Sequence, residues 1–278
     1  MRIQHNLMAM NAYRSYNNNL LAYSKSMARL SSGYRINCAA DDAAGLAISE
    51  KMRAQIRGLN MAAKNSLDAI SMVQTVEGAL QGVHNILQRM REIAVQAASD
   101  TNDDRIDRKA LDLEIQQLKE EISSIAEVTT FNGIQLLKAS GGITNEYVIQ
   151  TGPNSGNTMT IKIQALGLNY GASPLEIADV NVSTRAGAKT AITDIDNAIN
   201  TLSLQRAQLG AYQNRLEYKI ANLETMAENL QAAESRIRDA DMAKEMVEFV
   251  KAQILIQASL AMMAQANDIQ RSILILFE

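Results

Sequence analysis

The sequence predicts a mainly α-helical chain: an elongated rod of long, coiled-coil-like helices with a small β-hairpin insert and paired terminal helices. Three observations support this prediction. Hydrophobic residues make up 47% of the 278 residues but aromatic residues only 4%, which favours helices packed closely along their lengths. Both prolines, Pro153 and Pro174, lie within residues 131–187, so the flanking segments lack the residue that most disfavours helix interiors. A seven-residue hydrophobic repeat runs near the carboxyl end.

The amino-terminal part of the chain contains three predicted helical segments. At its start, Ile3, Leu7 and Met10 recur at spacings of four and three residues, which places them on one helix face. Two longer apolar stripes at the same spacing predict two further helices. The first stripe consists of Val73, Val76, Leu80, Val83, Leu87, Met90, Ala94 and Ala97. The second consists of Leu111, Ile115, Leu118, Ile122 and Ile125.

A polar segment at residues 99–104 separates these two stripes. Its Ser, Asp, Thr and Asn residues are typical of turns and of helix N-caps. We therefore expect the chain to reverse direction there and to begin a new helix near Asp103.

The pattern of residues in the insert between the two helical segments, at about 130–186, predicts β-structure. Met159, Ile161 and Ile163 alternate with polar residues, and a loop containing Gly152 and Pro153 precedes them. This alternation predicts a β-hairpin, with the preceding strand at residues 147–149. Further turn signals at Asn132–Gly133 and Gly141–Gly142 predict additional short hairpin structure.

The carboxyl-terminal arm contains the strongest periodic signal in the chain. Seven aliphatic residues recur every seven positions, and a second row completes the spacing of three and four residues that a coiled-coil seam requires. At a rise of about 1.5 Å per residue this seam spans about 63 Å, more than the roughly 50 Å diameter of a compact globule of this length. The repeat consists of Ile195, Leu202, Leu209, Leu216, Leu223, Leu230 and Ile237.

Apolar residues at the two ends of the chain predict a self-association surface. The stretch 249–260 is apolar on more than one helix face, so a single partner helix cannot cover it. Contacts of this kind between elongated subunits produce an open helical filament when the rotation does not close. The alternative is that the ends fold back on the central helices as further core. The predicted polymerisation residues are Ile3, Leu7, Met10, Val250, Ile254, Leu260 and Met263.

Charge and composition argue against several other functions. A net charge of -3 argues against a nucleic-acid partner. Residues 1–30 lack the apolar core of a cleavable secretory signal, and no run of about 18 uninterrupted apolar residues predicts a membrane-spanning helix. The only histidines and cysteine are His5, His84 and Cys38, and no zinc, phosphate-loop or dinucleotide motif occurs. We therefore predict no catalysis, no metal and no cofactor.

Several segments resemble one known family. Residues 31–59 read SSGYRINCAADDAAGLAISEKMRAQIRGL, and residues 209–246 read LGAYQNRLEYKIANLETMAENLQAAESRIRDADMAKEM. Both segments, the opening Met1–Asn6 and the Phe131–Gly133 turn are similar to bacterial flagellin. The resemblance covers about 1–137 and 187–266, in the correct order at both ends.

The resemblance implies a short flagellin that lacks the outer variable domains. It implies a terminal inner-tube domain of residues 1–40 and 237–278, a helical rod domain of 41–129 and 187–236, and a β-hairpin insert of 130–186. It also implies export through the flagellar secretion channel to an extracellular flagellum that serves swimming motility. The implied partners are other copies in a homopolymer, an export chaperone at about 236–278, and the filament cap and hook-junction proteins.

The resemblance further implies recognition of the monomer by Toll-like receptor 5. The family's recognition motif corresponds to residues 87–96, with Arg89, Ile93 and Gln96 as its core and Glu114 on the neighbouring helix. The spacing of Arg89, Ile93 and Gln96 predicts that one helix face presents all three. Without the family, Arg89 and Gln96 would be interpreted as an ordinary solvated helix face.

Two positions depart from the family pattern. Cys38 stands where Ser is more usual, and we predict that it is a small packing residue. The tail from Asn267 to Glu278 lacks the usual proline.

Two alternatives to the filament subunit are a hook-filament junction or adaptor protein of the same appendage and, more remotely, a membrane-active helix over 242–277.

Overall fold

The computed structural model describes residues 6–275 except 101–102, 104–105, 139–143, 167–174 and 176, with side chains as far as residue 272. Its architecture confirms a mainly α fold with a small β insert. The described helices are α1 Leu7–Ser32, α2 Ala43–Ala97, α3 Asp107–Val128, α4 Arg185–Arg238 and α5 Met242–Ile275. The described strands are β1 Thr130–Phe131, β2 Ile134–Gln135, β3 Thr144–Gln150 and β4 Thr158–Gln164.

The chain divides into two compact units. The first comprises Met1–Ile56 and Glu228–Glu278, and the second comprises Arg57–Ala227. The first unit therefore contains α1, α5 and the adjoining ends of α2 and α4. The second contains α3, all four strands and most of α2 and α4. The three-part division expected from the family stays a prediction.

The core of the second unit is built on the predicted apolar stripes. All eight members of the α2 stripe, from Val73 to Ala97, are buried, and α4 buries the repeat from Ile195 to Leu223. From α3, Ile115 and Ile122 are fully buried in the same cluster. A fully buried aliphatic side chain contributes about 1.5–3 kcal/mol to the free energy of folding. The seven-residue repeat is thus a buried seam as far as Leu223, and beyond it Leu230 and Ile237 are half-buried.

Helix α3 begins at Asp107, so the expectation of a start near Asp103 is wrong by four residues. The side chain of Asp107 accepts a hydrogen bond from the Asp103 N–H, at 3.1 Å, and so binds the loop before the helix. Buried Arg108 donates from Nε to the Ala97 carbonyl and from Nη2 to the Ser99 carbonyl, each at 2.8 Å. These bonds satisfy carbonyls at the end of α2 that have no partner within the helix.

The insert contains the predicted hairpins. Asn132 and Gly133 have φ angles of 50° and 79° and connect β1 to β2, the positive values that a two-residue hairpin turn needs. Strands β3 and β4 pair antiparallel, and Met159, Ile161 and Ile163 are buried, as their alternation predicted. The Gly141–Gly142 turn signal and Pro174 lie outside the described residues.

Residues 177–184 lead from the insert back to α4, and we call this segment the return loop. A buried lysine of α3 binds it. Lys119 donates from Nζ to the carbonyls of Ala178 and Val180, at 2.9 and 2.6 Å. Two turns earlier in α3, Asp112 accepts a hydrogen bond from the Val182 N–H at 3.1 Å. Burial lowers the pKa of the Lys119 ammonium, and the charges of Asp112 and Asp179 oppose that shift.

Candidate assembly surface

Helices α1 and α5 form an antiparallel pair in the first unit, as predicted. At one end, the Asn6 side-chain amide donates to the Ala266 carbonyl at 3.0 Å. At the other end, Arg29 and Glu245 form an ion pair at 3.5 Å. Between them, the rings of Tyr23 and Phe249 stack with centroids 4.7 Å apart.

Small residues occupy the most shielded positions of the seam between α1 and α5. On α5 the most shielded positions are Ala252, Ser259 and Ala266, which recur every seven residues, and on α1 the buried residue is Ser26. Ser259 accepts a hydrogen bond from the Asn19 amide at 3.2 Å. Small residues allow the two helices to approach closely but bury little apolar area. These positions therefore contribute little hydrophobic stabilisation.

The rings of Tyr23 and Phe249 are half-buried, but most other large apolar residues of the pair are exposed. Leu7, Met10, Val250, Ile254 and Leu260 are exposed, as expected for polymerisation residues. Met263 is half-buried beside the seam, and Ile3 lies outside the described residues. We call this outer face the α1–α5 surface. Its exposed members are Leu7, Met8, Met10, Tyr13, Leu20, Leu21 and Met27 on α1, and Met242, Met246, Val247, Val250, Ile254, Leu255, Leu260, Met262 and Ile269 on α5.

Helix α5 is also long and apolar enough, by length and composition, to cross a membrane. Within Met242–Ser272, a window of 18 residues reaches a mean hydropathy of 1.3, and only 6% of that window is buried. The expectation that no segment would qualify is therefore wrong, because it required an uninterrupted apolar run and an average tolerates isolated polar residues such as Ser259. A helix that packs against other protein chains meets the same criterion, so this property does not by itself distinguish a lipid from a protein partner.

A cation–π cluster around Tyr34 in the first unit was missed by sequence reasoning. The guanidinium carbons of Arg53 and Arg238 each lie 5.1 Å from the centre of the Tyr34 ring. Arg53 also donates to the Tyr34 hydroxyl at 3.0 Å and to buried Glu234 at 2.8 Å. Arg238 forms an ion pair with Glu50. These residues come from distant segments, so no local pattern could have identified the cluster.

The loop between α1 and α2 is organised by Asp41. Its carboxylate pairs with Lys25 at 2.7 Å and accepts a hydrogen bond from the Asn37 N–H at 3.2 Å. The hydrogen bond from Lys25, followed by that from Asn37, holds the pKa of the Asp41 carboxyl well below its ordinary value. Asp42 accepts from the Gly45 N–H at 2.9 Å, so it caps the start of α2.

Cys38 lies in the same loop and is exposed, so the prediction that it is a packing residue is wrong. Its thiol donates to the Asp41 carboxylate at 3.5 Å rather than entering a core. The reason is local: the buried apolar residue of this segment is Ile36, and Cys38 follows it beyond the shielded part of the loop.

The predicted receptor residues lie on the second unit. Arg89 is exposed and donates from Nε and Nη2 to Glu114 on α3, at 3.0 and 2.9 Å. Gln96 is also exposed. Ile93, in contrast, is fully buried, so the expectation that one face presents all three residues is wrong. Ile93 follows Met90 by three positions and precedes Ala97 by four, and both spacings place it on the buried stripe of α2.

The fold and this surface define a class: a mainly helical structural protein whose paired terminal helices present an uncovered apolar face. Residues 3–141 match the family described as "Bacterial flagellin N-terminal helical region", and residues 192–277 match "Bacterial flagellin C-terminal helical region". The chain belongs to the bacterial flagellin family. It is accordingly a structural protein of the bacterial flagellar filament, and its family is not a family of enzymes.

Named relatives agree with this assignment. The chain is 52% identical to a flagellin of Halalkalibacterium halodurans, over 99% of this chain and 98% of that protein. It is 47% identical to a flagellin of Bacillus subtilis, over 99% of both chains. A putative flagellar hook-associated protein of Vibrio parahaemolyticus has a similar fold, with a TM-score of 0.61 at 15% identity over 72% of this chain and 100% of that one. That last similarity concerns the fold alone.

Proposed function

We propose that copies of this chain polymerise through the α1–α5 surface into an extracellular flagellar filament that serves swimming motility. The observation that carries the proposal is that the buried positions of the pair hold small residues, whereas most of its large apolar residues are exposed. Each large side chain that a neighbouring copy covers contributes about 1.5–3 kcal/mol, before ordering costs are subtracted. The neighbours in such a filament are other copies of the same chain.

The experiment is seeded growth of the full-length protein. Replacing Val250 and Ile254 together by Gln should abolish growth from filament seeds, because both side chains are exposed and would become buried polar groups in the polymer. Circular dichroism of the variant monomer should be unchanged. Val148→Gln, at an exposed apolar position of β3, is the matched control and should elongate normally. Normal elongation of the α5 variant would contradict the proposal.

A hook-filament junction or adaptor protein of the same appendage is the second candidate. The fold is shared with a putative flagellar hook-associated protein, so the fold by itself does not separate the two candidates. A junction protein should not polymerise alone, whereas a filament subunit should grow from seeds in proportion to its concentration. Sedimentation of concentrated, seeded protein therefore distinguishes the two candidates.

We extend the proposal to the partners that the family resemblance implies. An export chaperone would cover the exposed carboxyl-terminal helix before the chain passes through the flagellar secretion channel, and cap and hook-junction proteins would meet the same surface at the filament ends. The uncovered apolar face of α5 supports these contacts, since such a face requires a partner before assembly. We propose no nucleic-acid partner and no stable membrane insertion.

We also propose that Toll-like receptor 5 recognises the released monomer. Exposed Arg89 and Gln96 and half-buried Glu114 support this proposal, and buried Ile93 would act only by shaping the backbone beneath them. Arg89→Ala should weaken receptor binding and leave the melting temperature nearly unchanged, because an exposed ion pair contributes little to stability. Arg185→Ala, which removes an exposed ion pair with Asp100 outside residues 87–96, is the control. Equal receptor binding by Arg89→Ala and the wild-type chain would reject this site.

A further inference from the structure

The methionines of this chain are unevenly distributed between exposed and buried positions. Among the described residues, eight methionines are exposed, and six of them lie on α1 and α5. The two others are Met61 on α2 and Met226 on α4. The buried ones, Met72, Met90 and Met159, all belong to the second unit. The six exposed methionines of α1 and α5 are Met8, Met10, Met27, Met242, Met246 and Met262.

These six residues occupy the two ends of the helix pair. The Asn6–Ala266 hydrogen bond brings the start of α1, with Met8 and Met10, to the part of α5 that carries Met262. The Arg29–Glu245 ion pair brings Met27 to the end that carries Met242 and Met246. The exposed thioethers of the pair therefore form two groups of three, one at each end of the α1–α5 surface.

We propose that these six methionines form a peroxide-sensitive modification site that controls whether the subunit can assemble. Hydrogen peroxide transfers one oxygen atom to the thioether: the O–O bond breaks, an S–O bond forms, the sulfur loses two electrons, and the remaining hydroxide takes up a proton to leave as water. The product, a sulfoxide, is polar where the methionine was apolar. Assembly would bury it without a hydrogen-bond partner, which is unfavourable. The inference rests on the proposed assembly function.

The same geometry makes the modification depend on the assembly state. A monomer exposes the six side chains to solvent and to dissolved peroxide. A neighbouring copy on the α1–α5 surface would cover them, so subunits already in a filament should be protected. Met61 and Met226 serve as internal references for exposed methionines outside this surface, and Met90 serves as the buried reference.

The test compares oxidised and untreated full-length protein in a Cys38→Ser background, which removes the exposed thiol as a competing target. Monomer treated with hydrogen peroxide should elongate seeds at least about tenfold more slowly than untreated monomer, because a tenfold loss needs only about 1.4 kcal/mol. Reduction with methionine sulfoxide reductases for both sulfoxide epimers should restore growth. Peptide mass mapping should show the six methionines oxidised in the monomer and protected in the filament.

Methionine-to-leucine variants show which methionines make assembly sensitive to peroxide. Replacing the six methionines by Leu should give a protein that assembles and resists peroxide, whereas replacing Met61 and Met226 by Leu should leave it sensitive. Two triple variants, one for each end of the pair, keep the test decisive should the sixfold variant fail to assemble. Oxidised wild-type monomer that elongates at the untreated rate would overturn the inference. Failure of untreated protein to elongate would instead reject the proposed assembly function.

Discussion

Single residues in the first unit make contacts that helix periodicity does not predict. Tyr34 receives two guanidinium groups, one on each of two helices, and Arg53 also bonds its hydroxyl. Each such cation–π contact contributes about 0.5–1 kcal/mol at partly exposed sites. The cluster thus adds to the stability of the first unit, which buries few large side chains among its described residues.

We predict that Tyr34→Leu lowers the free energy of unfolding by about 1.5–3 kcal/mol, since it removes both cation–π contacts and the hydrogen bond to the hydroxyl. Tyr34→Phe keeps the ring and loses only the hydroxyl bond, so it should cost about 1 kcal/mol or less. Urea denaturation of dilute monomer measures both changes. Tyr218→Leu, at an exposed position of α4, is the control and should stay within about 0.5 kcal/mol of the wild-type chain. A Tyr34→Leu chain as stable as this control would show that the cluster is not stabilising.

The lowered pKa of the Asp41 carboxyl predicts how the stability of the first unit changes at acidic pH. Its carboxyl has a lower pKa in the folded chain than in the unfolded chain, chiefly because Lys25 bonds it. Its contribution to stability is therefore present above the unfolded pKa of about 4 and is lost as the pH falls further. We expect the urea midpoint to fall less between pH 5 and pH 2 in Asp41→Asn than in the wild-type chain. An identical fall of the urea midpoint in the two proteins would contradict this role of Asp41. Asp68→Asn, which changes an exposed carboxylate of α2, is the control.

At the scale of elements, the attachment of the insert to α3 depends on one buried cation. Lys119 binds two carbonyls of the return loop, and no apolar side chain can replace those bonds. Lys119→Met should destabilise the second unit by about 2–4 kcal/mol, because two carbonyls lose their partner. Lys109→Met changes an exposed lysine of the same helix and should have little effect. Chemical denaturation monitored by circular dichroism compares the two variants, and equal stabilities would reject the structural role of Lys119.

Ile93 illustrates how a motif and a fold can disagree at the element scale. The family motif places it among the recognition residues, but its spacing from Met90 and Ala97 places it in the core. The helix period was correct, and the error lay in the assumed width of the apolar stripe. A third helix, α3, covers that side of α2, and sequence periodicity does not state how many neighbours a helix has.

At the scale of the whole molecule, the two units differ in what stabilises them. The second unit has a continuous cluster of fully buried aliphatic residues, whereas the first buries few large side chains among its described residues. We therefore expect two thermal transitions by calorimetry. The transition of the first unit should shift to higher temperature as protein concentration increases, because association stabilises the bound state, and that of the second should not. Transitions that are both independent of concentration would argue against assembly through α1 and α5.

Much of this organisation could be read from the sequence. The stripes from Val73 to Ala97 and from Ile195 to Leu223 specify helices and their buried faces, because apolar periodicity selects both together. Asn132–Gly133 specifies its turn, because its positive φ angles suit few other residues. The exposure of Val250 and Ile254 also followed from the sequence, since an apolar surface that extends around a helix exceeds what one partner can cover.

Tertiary structure alone decided the rest. It determined that Ala252, Ser259 and Ala266 form the seam of the terminal pair, that Tyr34 joins Arg53 to Arg238, and that Lys119 holds the return loop. The physical reason is the separation in sequence between the residues that interact. Periodicity and turn preference act over a few residues of one chain segment, whereas these contacts join segments far apart in sequence, and their partners are specified only when the helices pack.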